Sequence, residues 1–414
     1  MRRGRFQVLA VVAAAMLVVG AVPARPEQWT ETTPAAVSLN AVAFLSATRV
    51  VAVGNNCTVL LSINGGASWS DVSPVGPVDN LNDVAFSGAN GVAVGDGGLI
   101  LYSANSGDSW TEVSVPTRTL PLFAVAYNGN TVVAVGQAQT VGAPATRYFT
   151  AVRSVDGGAN WVEVPKASFL TAAGEKNLND VAFVDATTLV AVGDRQGPNP
   201  TVLRSTDGGA TWSTPTYNNP PNQNMNSVIV SGAVVMAVGD KDGPTVTMFR
   251  STDAGATWDL PSSFPSGAPN NVPLLDVVAV SPTRFVAVGD AKAGGSGYRI
   301  LVSADAGDTW SDPTTVPAGS ANLTAVAYGN SLVLAVGDNG TILASTDLGD
   351  TWSLDDTQGS VANLLDVAII NPSIAVGTGG QALLRIPATS GGASQAVSVA
   401  TVVQGAATVT VPVG

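Results

Sequence analysis

Leu81-Asn82-Asp83-Val84-Ala85-Phe86, then Val92-Ala93-Val94-Gly95, then Ser103-Ala104-Asn105-Ser106-Gly107-Asp108-Ser109-Trp110, closed by Thr111-Glu112-Val113: this stretch decides the fold, because it returns along the whole chain. Its opening motif starts at Leu39, Leu81, Leu122, Leu178, Met225, Leu274, Leu323 and Leu364, which makes eight copies. Each copy runs on to a V-A-V-G-like motif ending in Gly54, Gly95, Gly136, Gly193, Gly239, Gly289, Gly337 or Gly377. A third apolar stretch leads into an S-x-[D/N]-x-G-x-x-W box, and a short strand-like segment follows the Trp. The unit reads as strands A, B and C, a box turn and strand D. At about 40 to about 52 residues it has the size of a propeller blade.

The box occurs seven times. Its fixed positions are Ser62, Asn64, Gly66 and Trp69; Ser103, Asn105, Gly107 and Trp110; Ser154, Asp156, Gly158 and Trp161; and Ser205, Asp207, Gly209 and Trp212. They continue as Ser251, Asp253, Gly255 and Trp258; Ser303, Asp305, Gly307 and Trp310; and Ser345, Asp347, Gly349 and Trp352. The Asp or Asn is suited to accept backbone N–H bonds within the turn, the Gly to take positive φ, and the Trp to fill the gap between sheets. Asn64 and Asn105 replace the acid, so the box needs the geometry and not the charge. A box that recurs unchanged also lacks the asymmetry of an active site. A structural role follows.

The two ends fix the architecture. The eighth copy stops after its third strand, near 384–387, with no box and no Trp. The missing strand appears at the other end, where Trp29-Thr30-Glu31-Thr32 mimics the segment after Trp110. The pattern predicts an all-β, eight-bladed propeller of four-stranded blades, closed by the N-terminal strand completing the last blade. Seven blades is the alternative if one copy is degenerate.

The boxes resemble the Asp-boxes of bacterial neuraminidase repeats. The whole unit most resembles the repeats of photosystem II assembly factor-like propellers, over roughly residues 29–387. The resemblance implies the fold. Such propellers include sialidases, endoglucanases, sorting receptors and assembly factors, so three functions stay open. They are a non-catalytic binding scaffold, a glycoside hydrolase of sialidase or endoglucanase type, and an assembly factor for a membrane protein complex. Arg385-Ile386-Pro387 matches a sialidase tripeptide, but it sits in the final copy whereas sialidases carry it near the start.

Composition narrows these functions. The 414 residues carry 18 Lys+Arg against 30 Asp+Glu, a formal net charge of −12, which disfavours a nucleic-acid partner. There is no His, so the usual general base and the commonest metal ligand are missing. The residues suggest a protein that is not an enzyme, without cofactor or metal, acting as a monomer on a protein or glycan. The single Cys57 lies in a strand-like run and reads as a buried, inert thiol. Arg2, Arg3 and Arg5 before an apolar run and Val22-Pro23-Ala24 read as a secretory signal over 1–24, hence an exported chain with no membrane span after cleavage. The propeller then spans 25–387. A Val/Thr/Ala-rich tail over 388–414 is a linker or the stub of a further domain.

In this strand order the boxes and A–B turns share one face and the B–C and D–A connections share the other. The first face is uniform. The second carries long B–C connections at 137–147, 194–200, 240–244 and 290–298, and long D–A connections at 165–177, 214–224, 260–272 and 311–322, all in blades three to six. Repeat proteins place such insertions on a binding face. The candidate binding residues there are Arg147, Tyr148, Lys176, Asp194, Arg195, Tyr217, Asp240, Lys241, Asp242, Asp290, Lys292, Tyr298 and Arg299.

Overall fold

Alternating Val and Ala in V-A-V-G suits a strand covered on both faces, and the computed structural model places each such segment second in its sheet and wholly buried, as at Val50–Gly54 and Phe285–Gly289. The structure describes residues 28–32, 34–115, 119–141, 146–170, 176–196, 199–242, 245–265, 272–295, 297–355, 362–370 and 373–386. The signal and tail expected at 1–24 and 388–414 lie outside them.

Each copy is one antiparallel blade. In blade 2 the strands are Leu81–Ser87, Asn90–Gly95, Ile100–Ser103 and Thr111–Glu112, hydrogen-bonded in that order. Eight such sheets follow one another, and the inner strand of each touches the inner strands of its two neighbours around a closed circle. Gln28–Thr32 pairs with Ala382–Ile386, with Gln28 opposite Ile386 and Thr32 opposite Ala382. The eighth blade is therefore completed from the N-terminus, and Trp29 is 2% exposed. In blades 5 and 6 the outermost strand contracts to single bridges, Arg250 with Asp259 and Val302 with Ser311.

The core lies between blades. Val51, Val53 and Leu61 of blade 1 pack with Val84, Leu101 and Trp110 of blade 2, and equivalent clusters fill the other gaps. The eight V-A-V-G glycines share one cause. A Cβ at any of them would stand between 1.9 and 2.2 Å from a backbone carbonyl oxygen at the start of the same blade. That carbonyl accepts the N–H of the residue after the glycine, as Asn177 does from Asp194 and Asn322 from Asp338. The close approach requires glycine without any positive φ.

The D–A connections do not all rise from the ring. Phe169–Leu170 runs parallel to Trp212–Ser213, and Thr216–Tyr217 runs parallel to Thr257–Trp258. Ser263 with Thr309 and Thr315 with Thr351 repeat the contact. Each connection thus crosses the outer edge of the next blade and covers backbone groups that a free edge would expose. Cys57 also departs from expectation. It is buried, but it occupies the turn after Val50–Gly54 at φ 55°, and its N–H bonds the Asp79 carbonyl. Burial, with Glu112 and Asp79 nearby, pushes its thiol up to about 11, so it stays protonated.

Candidate interaction site

The box geometry is local. In blade 5 the Asp253 Oδ1 accepts the Ser251 hydroxyl and the Thr257 N–H, and its Oδ2 accepts the Thr257 hydroxyl. Ser251 Oγ in turn accepts the Gly255 N–H, and the Trp258 indole donates to the Gly255 carbonyl. Burial pushes the Asp253 carboxyl up, but the bonds from Thr257 and Ser251 outweigh it and hold it below the ordinary carboxylate range. Asn64 does the same work with Ser68 as partner. Asp253→Asn should therefore cost only about 0.5 kcal/mol and Asp253→Ala about 2 kcal/mol, read from urea midpoints; equal costs would contradict a turn-tying role.

Two inter-blade devices went unread in the sequence. On the box face, Arg204 Nε reaches the Ala254 carbonyl of the next blade at 2.9 Å, and Arg250 and Arg284 reach Ala306 and Leu348 likewise. Each acceptor is the fourth box residue, held at positive φ although it is not glycine.

The second device lies at the axis. The third residue of the inner strand is Asp in blades 2, 4, 6 and 8: Asp83, Asp180, Asp276 and Asp366. Each carboxylate accepts the N–H of the Val that follows it, and with its other oxygen the N–H of the matching Val in the next blade. Asp83 holds Val84 and Val125, Asp180 holds Val181 and Val228, Asp276 holds Val277 and Val326, and Asp366 holds Val367 and Val42. Four carboxylates thus cap eight N–H groups on strand edges that no further strand covers. Desolvation first, and then Asp83 and Asp276, push Asp180 and Asp366 up to about 7 against the opposing N–H bonds. Asp83 and Asp276 are raised too, chiefly by burial. Among the described residues no group of three or more acidic or Cys side chains is placed to hold a metal ion.

On the opposite face to the boxes, blades 3 to 5 carry long hairpins: Thr131–Val141 with Thr146–Ser154, Leu189–Gln196 with Asn199–Ser205, and Val234–Asp242 with Thr245–Ser251. The equivalent strands of blade 1 have five and four residues. Asp194 and Asp240 latch the mouth of the axis, each taking two Asn side-chain N–H groups, from Asn177 and Asn179 and from Asn224 and Asn226. Beside Asp290 the equivalent positions are Pro273 and Leu275, which have no side-chain N–H to give. Burial, Asp338 and Asp240 raise its carboxyl.

The other candidates are dispersed. Tyr148 lies beneath the Lys166 ammonium, 3.5 Å from its ring centre, at a cleft with Gln139 and Glu163. Arg195 is exposed and donates to Asn222, Lys241 is exposed, and Lys176 is half-buried. Tyr217 is not at the rim: it packs on Phe249 between blades, and its hydroxyl donates to the Val202 carbonyl. The side chains of Arg147 and Asp242 lie outside the described residues. Lys292, Tyr298 and Arg299 do come together, beside a cleft of about 490 Å3 between blades 6 and 7. Arg385, of the sialidase-like tripeptide, makes an ion pair with Asp355 at 2.8 Å.

Residues 23–174 match the family model for photosynthesis system II assembly factor YCF48. Among solved structures, YCF48 bound to a D1 peptide is 18% identical, with a TM-score of 0.53 over 89% of this chain and 97% of that one. YCF48 from Cyanidioschyzon merolae is 16% identical, with a TM-score of 0.55 over 87% and 99%. The computationally designed Ika8 protein reaches 0.60 at 14% identity, over 86% and 98%. At such identities the likeness carries the fold alone. No curated protein matches. The chain is an eight-bladed Asp-box β-propeller, and its residues 23–174 match the YCF48 assembly-factor family.

Proposed function

We propose that this chain is an exported, non-catalytic propeller that holds a protein partner on its loop face, in blades three to six. One observation supports the reading above others. The box turn has one length in every blade that has a box, whereas strands B and C of blades 3 to 5 are prolonged on the other side into hairpins of different length. YCF48 has been seen with a D1 peptide, which is the precedent for a propeller of this repeat type binding a protein segment. Among the described residues no helix is long and apolar enough to cross a membrane.

The test is site-specific crosslinking in the source cell with a photoreactive residue at Lys241 on the loop face or at Ile63, an exposed box-face position. A discrete protein adduct from Lys241 alone is expected, in the fraction outside the cytoplasm and on a chain processed near Ala24. Adducts from Ile63 alone, or an unprocessed cytoplasmic chain, would contradict the reading.

A further inference from the structure

We infer that the cleft between blades 6 and 7 is a carboxylate-binding site that takes an acidic peptide segment bearing a neighbouring apolar side chain. This rests on the loop-face reading and names the chemistry of one place within it.

The cleft is walled by Tyr298, Ile300, Asp312, Val316 and Pro317, with Lys292 at its polar end. Asp312 Oδ1 is shared by two cations: the Lys292 ammonium at 2.9 Å and the Arg299 guanidinium at 3.4 Å. Arg299 is fully buried, its other bond is a 3.3 Å contact with the Pro265 carbonyl, and its Nε has no hydrogen-bond partner. Two positive groups therefore rest on one carboxylate, in a chain of net charge −12. A buried guanidinium with an open donor and a distant, shared counter-ion is poorly compensated. Desolvation accordingly draws Arg299 down to about 10, against the pull of Asp312.

One further monoanion balances the group. A ligand carboxylate on the Lys292 ammonium releases Asp312 to pair with Arg299 alone, giving one anion for each cation. The adjoining wall of Ile300, Val316 and Pro317 is apolar and takes a side chain next to that carboxylate. A phosphate, with two charges and no apolar neighbour, matches neither the charge count nor the wall.

The experiment titrates the full chain with three blocked peptides, followed by ligand-observed NMR. N-acetyl-Leu-Glu-amide offers a side-chain carboxylate, N-acetyl-Gly-Leu a terminal one, and N-acetyl-Leu-Gln-amide none. Saturable binding of either carboxylate peptide is expected, about tenfold tighter than the Gln control, and the stronger of the two identifies the source of the carboxylate. Lys292→Gln should abolish that preference. Asp312→Asn should strengthen carboxylate binding several-fold, because it removes the competing anion, whereas a purely structural role for Asp312 would weaken it. Equal affinity for the Gln control, or no saturable binding below about 20 mM, overturns the inference. If the peptides fail while Lys241 still crosslinks, the cleft assignment falls and the loop-face reading stands.

Discussion

Acidification from about pH 8 to about pH 5 should raise the melting temperature by about 5 °C. The cause is the axial carboxylates. Asp180 and Asp366 are held at about 7 in the folded ring, against an ordinary 3.8, and Asp83 and Asp276 are raised in the same direction. Between these values the folded chain binds more protons than the unfolded one, so stability falls as pH rises through the window. The contribution is complete below the ordinary carboxylate range and lost above pH 7. The box aspartates act oppositely. Asp156, Asp207, Asp253, Asp305 and Asp347 are held low, so their contribution is lost on further acidification. Stability should then peak between about pH 4 and about pH 5.5. Because the axial groups repel one another, they titrate as a set, and Asp180→Asn should flatten the slope above pH 5 by more than a quarter. A melting temperature that climbs steadily from pH 5 to pH 8 would contradict the account.

Removing residues 1–33 should lower the melting temperature by about 10 °C or more and promote aggregation. The truncation takes away the buried Trp29, worth about 3–5 kcal/mol on its own, and uncovers the edge of Ala382–Ile386. The register offers a remedy. Gln28 lies directly opposite Ile386, so the two strands can be joined as a hairpin. A permuted chain that begins at Pro34 and runs from Ile386 through Asn-Gly into Gln28–Thr32 should melt within a few degrees of the parent. A truncated chain as stable as the parent would show that the closing strand carries no load. Trp29 also differs from the box tryptophans in one respect. Blade 8 has no box, so Trp29 has no box glycine carbonyl to receive its indole N–H, which is buried without a partner, a condition that Trp69 of the first box shares.

Repeats made the ring legible from residue types alone: eight opening motifs, seven boxes and one displaced Trp strand pointed to a circle closed by the N-terminal strand, and the structure decides for eight blades over seven. The glycine after V-A-V was visible eight times, but its reason, a carbonyl about 2 Å from any added Cβ, belongs to backbone approach and not to spacing. The alternation of Asp83, Asp180, Asp276 and Asp366 with Ala41, Ala124, Ser227 and Ala325 was also in plain view. It carried no signal until the inner strands faced one another, because a lone Asp in a strand says nothing of what accepts or donates across an axis. The loop residues were least legible. Arg299 and Tyr217 are charged or polar near connections, yet both are turned inward, and only three-dimensional packing distinguishes them from Arg195 and Lys241 at the surface.

The axial carboxylates impose a parity on the molecule. Every even blade supplies an acceptor pair and every odd blade is served by the blade before it, with Asp366 serving Val42 to complete the cycle. Excising or inserting one blade would seat two suppliers or two recipients side by side, which strands an N–H group at the centre or crowds two carboxylates together. Two blades, not one, are therefore the quantum by which this propeller can be lengthened or shortened with every axial N–H still capped.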